Sequence, residues 1–270
     1  MDTVTSSHDR HANLPGGPET MFAVDGVVAA DAGCRGFMSS GPWSSGPPNA
    51  AAIGVLADNV LGYALIAEAP VGWWSVSTEI SLDFLRPLPS DGTRMTAEGR
   101  VVHAAPGTGL AEGAVFAADG EAVARCRQWG RYVEAGPTRD TDHTPYLGAC
   151  RSVTELADNL LAGAAAVDGR AWLSLPIDED LVNPLRTLHG GITLWLTEFL
   201  AHRAVGSVAE NLLPASLNVS YLRPLRQGDL ATFRAEVTSC GRRLAVTRVT
   251  AADEAGKLCI VASAHHHGPH

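Results

Sequence analysis

The chain has no uninterrupted apolar run of the roughly 18 residues that a membrane span needs. Asp58, Glu68 and Glu198 break its most apolar stretches. No basic-then-apolar leader follows Met1-Asp2, which predicts a cytoplasmic protein. There is no C-x-x-C pair, and the five cysteines (Cys34, Cys126, Cys150, Cys240, Cys259) are scattered and odd in number. That argues against a disulfide framework or a zinc site and for reduced thiols. Basic charge is scarce: 20 Lys and Arg stand against 29 Asp and Glu, a net charge of −9. A generic nucleic-acid binder needs the opposite balance, although a local group of arginines still suits a small anion. No G-x-S-x-G elbow is present, which excludes the serine nucleophile of an α/β-hydrolase. Asn218-Val219-Ser220 reads as a glycosylation sequon only in a secreted chain.

What is present is a globular composition, 46% hydrophobic and 18% charged over 270 residues, enough for two modest domains with real cores. The chain also contains itself twice. Phe84-Leu85-Arg86-Pro87-Leu88 recurs as Tyr221-Leu222-Arg223-Pro224-Leu225, each copy preceded by a Ser-Leu pair and followed by a glycine turn at Gly92 or Gly228. The next segments alternate in the same way: Met95, Ala97, Gly99 and Val101 in one copy, Ala231, Phe233, Ala235 and Val237 in the other. Period-two alternation predicts strands with one buried face. Upstream of each lies a helix that is apolar all round, about 50–67 and 190–205, too apolar for a surface position. Each copy thus reads as a strand, a buried helix and about four antiparallel strands. The expected divisions are a disordered tail at 1–18, a first domain at 19–133, a Gly/Pro/Thr/Asp-rich linker at 134–150 and a second domain at 151–270, opened by a short helix near 153–161. His265-His266-His267 is expected to be solvated.

Each central helix carries one acid in an apolar stretch, Asp58 and Glu198 at matching places. A buried carboxylate is costly unless compensated, so each is either a structural acid or a catalytic one whose pKa is raised by desolvation. The second helix is entered through Asn183-Pro184-Leu185-Arg186-Thr187-Leu188-His189-Gly190-Gly191. Glycines at a helix start leave amide N–H groups bare, at the positive end of the helix dipole, where an oxyanion can sit. Gly107-x-Gly109-x-x-Gly113 fits a dinucleotide template but falls in a strand region with no helix behind it. His8-x-x-His11 falls in the tail.

Asn183, His189-Gly190-Gly191, the acid at Glu198 and Asn218-Val219-Ser220-Tyr221-Leu222-Arg223-Pro224 together resemble the hotdog-fold acyl-CoA thioesterases of the phenylacetate-pathway (PaaI-like) type. The resemblance covers about 169–265, and more weakly 19–133. It implies an α+β double hotdog, two repeats each with a long central helix wrapped by a mainly antiparallel sheet, so that one chain supplies what is usually a homodimer. It further implies hydrolysis of an acyl-CoA, with the acid as nucleophile or general base. The amide after the His, with the upstream Asn, would polarise the thioester carbonyl. Coenzyme A enters only as part of the substrate; no metal and no separate cofactor are expected, nor a nucleic-acid partner. A homodimer of double hotdogs is a further implied assembly, and lipid metabolism the implied setting.

The first half departs from the family pattern. Asn49 stands where His189 does, Ala50-Ala51 replace the two glycines, and Trp43 matches Asn183. Gly190 and Glu198 lie eight residues apart on one helix, about 12 Å at 1.5 Å per residue, too far to share one carbonyl. The expectation is therefore a composite site: Asp58 facing Asn183 and Gly190, with Gly191 completing the helix start and His189 bracing the loop, and a degenerate site in which Glu198 faces Asn49 and Ala50. Arg223, Arg226, Arg242 and Arg243, near strand ends, are candidates for the coenzyme A phosphates or for a solvated edge. A hotdog enoyl-CoA hydratase is a competing reading, weakened because Arg186 stands where its His is needed and Asp180 is one residue too distant. A non-catalytic acyl-CoA binder is another.

Overall fold

A computed structural model describes residues 17–30, 33–41, 50–134 and 152–268. The first half comprises a short helix α1 (Gly17–Met21), strands β1 (Val24–Ala30) and β2 (Gly33–Ser39), and a 3₁₀ turn (Ala50–Ile53) leading into the central helix α2 (Gly54–Glu68). Four strands follow: β3 (Trp73–Phe84), β4 (Arg94–Ala105), β5 (Thr108–Phe116) and β6 (Ala122–Glu134). The second half repeats this plan. It has helix α3 (Val153–Gly163), strands β7 (Ala165–Val167) and β8 (Arg170–Pro176), the central helix α4 (Gly190–Gly206), then β9 (Leu213–Tyr221), β10 (Leu230–Cys240), β11 (Leu244–Ala252) and β12 (Leu258–His267).

The twelve strands among the described residues form one sheet in the order β1-β2-β4-β5-β6-β3-β9-β12-β11-β10-β8-β7, every pairing antiparallel. The halves are joined at β3 and β9, where Ile80 faces Val219 and Leu82 faces Leu217. Asn218 of the sequon lies in this seam and donates to Ser81 at 2.8 Å. Inward residues of the strands, such as Met95, Ala97, Phe233 and Ala235, are buried beneath the central helices, as the period-two alternation predicts. Small residues let the sheet close on α2: a Cβ at Gly36 would come within 2.6 Å of a Val60 methyl. Segment 50–68 is long and apolar enough to cross a membrane by length and composition, but it is mostly buried inside the protein. Two apolar helices wrapped by one continuous antiparallel sheet are the double-hotdog arrangement that the resemblance implied.

Four local expectations change. Two strands, not one, precede each central helix; β1 is largely exposed and β7 is three residues long, so neither has the alternation that reveals a strand. Gly17 and Pro18, assigned to the tail, begin α1 and are buried; residues 1–16, including His8 and His11, lie outside the described set. The linker beyond 134, Trp43, Asn49 and Cys150 lie outside it as well. His265-His266-His267 is the end of β12 rather than a solvated tail, and strand alternation turns the middle histidine inward, where it is fully buried. The short helix opens on the Ser152–Glu155 capping box and runs to Gly163, slightly past the expected end.

Candidate active site

The two central helices meet antiparallel, near their N-termini. Gly54 lies against Leu194 and the Gly191 carbonyl, while Gly190 lies against Asp58, so position numbers rise along α2 as they fall along α4. Contact this close needs glycine. A Cβ at Gly191 would overlap Val55 Cα and lie 2.7 Å from the Gly54 carbonyl oxygen. Asp58 stands four residues beyond Gly54, and Gly190 four before Leu194. One helical turn on each side of the crossing thus brings the acid of the first repeat onto the helix start of the second.

The Asp58 carboxylate is held on both oxygens. Oδ2 accepts the Gly191 N–H at 2.9 Å, and Oδ1 accepts the Ser77 hydroxyl at 3.1 Å. Ser77 in turn accepts from the Gln128 side chain at 3.0 Å. Burial pushes the Asp58 pKa up; the His189 charge and the hydrogen bonds from Ser77 and Gly191 oppose this without cancelling it. The Gly190 N–H, first in the helix, has no acceptor among the described residues, and the Gly190 carbonyl is fixed by the Tyr221 hydroxyl at 2.9 Å. A bare amide at the positive end of a helix therefore lies beside a desolvated carboxylate. That is an arrangement for developing negative charge on one atom while moving a proton with another.

His189 caps the helix: its Nδ1 lies 3.0 Å from the Gly191 nitrogen and 3.3 Å from Asp58 Oδ2, and its backbone carbonyl accepts from Thr193. Its Nε2 lies 3.3 Å from the Glu19 carboxylate. Burial would lower the His189 pKa, but the Glu19 hydrogen bond and the Asp58 and Glu19 charges outweigh it and raise it. Burial would raise Glu19, and His189, with Asn59, more than reverses that. Nδ1, accepting from the Gly191 N–H, makes the cap, and Nε2 faces the Glu19 carboxylate, so both ring nitrogens are engaged. Glu19 is the member of this site that sequence reasoning missed. It sits on α1, far upstream, and reaches His189 because Phe22 packs edge-on against Trp195 of α4, ring centroids 5.2 Å apart.

Two family descriptions match the chain: acyl-CoA thioesterase C-terminal domain over residues 17–132, and thioesterase superfamily over residues 185–260. A Pasteurella multocida protein provisionally named an esterase is 32% identical over 104 residues, which span 37% of this chain and 74% of that protein. The chain belongs to the thioesterase superfamily. Human acyl-coenzyme A thioesterase 13 is 28% identical over 97 residues, 35% of this chain and 69% of that one. A TesB protein of Mycobacterium avium subspecies paratuberculosis shares the fold across 94% of this chain and 98% of its own, with a TM-score of 0.64 at 12% identity. The protein is a thioester hydrolase with the double-hotdog fold.

The remaining sequence candidates of the thioesterase are placed as follows. Asn183 braces the loop: its side-chain oxygen accepts from Leu185 N, Thr187 N and Thr187 Oγ1, and no hydrogen bond joins it to Asp58 or Gly190 among the described residues. Arg223 and Arg226 follow β9, at the same end as the site; the bridge from Thr187 to Arg226 and the bond from Leu188 N to Leu225 carry that turn against the loop before His189. Arg242 and Arg243 sit in the turn after β10, at its opposite end. Eleven residues of strand, about 3.4 Å each, separate the two pairs, so the four arginines do not form one cluster. Arg186, where a hydratase would need its His, is exposed with a left-handed φ of 57°.

The acid of the second repeat has different company from that expected. Glu198 is fully buried, and the polar groups at it are His266, 3.6 Å away on β12, and His202 one turn along α4; Asn49 lies outside the described residues. Burial pushes Glu198 up to about 8, against the opposing charge of His202, and pushes His266 down to about 4. A cavity of about 990 Å³ lies elsewhere, lined by Arg35, Glu98, Arg100, Arg127, Asn218 and His265 among others. It contains none of Asp58, His189 or Gly190, and volume alone does not outweigh that chemistry in locating the site.

Proposed function

We propose that this thioesterase hydrolyses acyl-CoA at the junction of the two central helices, with Asp58 as general base. The observation that carries the reading is the desolvated Asp58 carboxylate beside the unpaired Gly190 N–H. The thioester carbonyl oxygen would sit on that amide. Asp58 takes a proton from water as the water oxygen attacks the carbonyl carbon. The oxyanion of the tetrahedral intermediate is stabilised by the amide and the helix dipole. Collapse breaks the C–S bond, and the departing thiolate receives the proton from Asp58, giving the free acid and coenzyme A. A pKa raised by burial makes Asp58 a stronger base than an exposed carboxylate. Both its oxygens already hold hydrogen bonds, which favours proton transfer over covalent attack. His189, pinned by Glu19, positions Asp58 and the helix start. Arg223 and Arg226, exposed at the same end, suit the phosphates of coenzyme A.

The test is thiol release from short, long and aryl acyl-CoAs, comparing wild type with Asp58→Asn and Glu198→Gln. Release that is lost in Asp58→Asn and retained in Glu198→Gln supports the reading. Release that survives Asp58→Asn, or its absence with every substrate, overturns it.

A further inference from the structure

The second repeat differs from the first around its central acid. Matched along the central helices, Asp58 corresponds to Glu198 and Gly62 to His202. Matched through the strand pairing, in which Ser77 faces Gly130 in the first half and Pro214 faces His266 in the second, Gly130 corresponds to His266. Ser77, which relays Gln128 to Asp58, corresponds to Pro214, which has no hydroxyl to give. Two glycines of the first half, Gly62 and Gly130, are thus replaced in the second by imidazoles, beside the acid that matches Asp58.

These groups do not satisfy one another. Both Glu198 oxygens, both His266 nitrogens and His202 Nδ1 are buried without a hydrogen-bond partner. The closest approach, His266 Nε2 to Glu198 Oε1, is 3.6 Å, outside hydrogen-bond range. Buried polar atoms left unpaired in this number are costly and call for an unseen partner. One donor atom from each residue lies within 4.8 Å of the others. Tetrahedral ligands at about 2.1 Å from a metal stand about 3.4 Å apart, so small side-chain rotations close the set. His202 also lines a cavity of about 300 Å³ with Val205, Gly206 and Leu212, so the cluster reaches that cavity through one of its three members.

We infer that Glu198, His202 and His266 form a binding site for a divalent transition metal such as Zn²⁺, tying α4 to β12 in the second half. Two imidazoles and one carboxylate suit borderline d-block ions rather than Mg²⁺ or Ca²⁺, which prefer all-oxygen shells. Neither cysteine spacing nor the family resemblance points to this set, whose ligands are a carboxylate and two imidazoles, with His266 distant in sequence from the other two. The site is separate from Asp58 and stands or falls independently of the hydrolytic mechanism.

The full-length chain, stripped with chelator, is titrated with Co²⁺ and, separately, with Zn²⁺. The inference predicts one tight equivalent of Co²⁺ with visible ligand-field bands of low coordination number, and a Zn²⁺-dependent rise in Tm of roughly 5 °C. Both are lost in Glu198→Gln and in His266→Asn and kept in Asp58→Asn. Should the buried variants fail to fold by circular dichroism, His202→Gln, at a half-buried position, takes their place. Absence of bands in wild type, or bands that survive loss of the Glu198 or His202 ligand, overturns the site and leaves a buried proton or adventitious surface histidines as the explanation.

Discussion

Asp58 accepts the N–H of Gly191 at 2.9 Å across 133 residues of chain. The bond ties the first repeat to the second where the backbones of the central helices approach closely. Asp58→Asn replaces the proton acceptor with an amide of nearly the same shape. Loss of a general base costs about 10²- to 10⁴-fold in rate, so kcat for thioester hydrolysis should fall by that much with little change in KM. Thiol-release kinetics on the purified variant measure both.

The pH dependence follows from what opposes burial at Asp58. Its pKa is raised, so the ionised, active form should appear only above the ordinary carboxylate range. Ser77→Ala removes a hydrogen bond that favours the ionised form. The acid limb of kcat/KM should therefore move to higher pH, by up to about one unit, with the alkaline plateau less affected. An acid limb that stays in place or moves down would show that Ser77 does not act through the Asp58 proton.

Glu19 makes a stability prediction of definite sign. Its folded pKa is lowered from 4.5, so the stabilisation it contributes is fully present above pH 4.5 and is lost as pH falls through the folded value. Glu19→Gln removes the charge but not the shape, at a cost of about 1.5–3 kcal/mol for a charge-assisted hydrogen bond. In denaturant titrations the gap between wild type and variant should be widest near neutrality and shrink below pH 4.5. A gap that grows on acidification would reverse the assignment.

Helix contact sets a different requirement at Gly191. An added Cβ would overlap the Val55 backbone, which cannot rotate away as a side chain would. Gly191→Ala should lower stability by at least about 1–3 kcal/mol and suppress hydrolysis by pushing Asp58 off the helix start. Gly206, where a Cβ meets nothing within 4 Å, supplies the control: Gly206→Ala should leave Tm within a degree or two and hydrolysis unchanged.

Much of the architecture was legible because the chain is a repeat. Recurrence of the Leu-Arg-Pro-Leu segments, matched alternation and two all-apolar helices follow from burial periodicity, which local sequence encodes directly. The His-Gly-Gly helix start and the two acids could be read from chemistry and spacing, and helix rise required the acid at Gly190 to come from elsewhere. Only tertiary packing decided the partners. Gly191, rather than Gly190, holds Asp58, because the crossing of the helices sets which amide points at the carboxylate. Glu19 enters through the Phe22–Trp195 contact, and Arg242 and Arg243 leave because a strand separates its two ends by its length. His266 joins Glu198 because a strand turns alternate side chains inward. Pattern along the chain determines which residues are buried; which buried residues meet depends on how elements distant in sequence cross, and no local period carries that information.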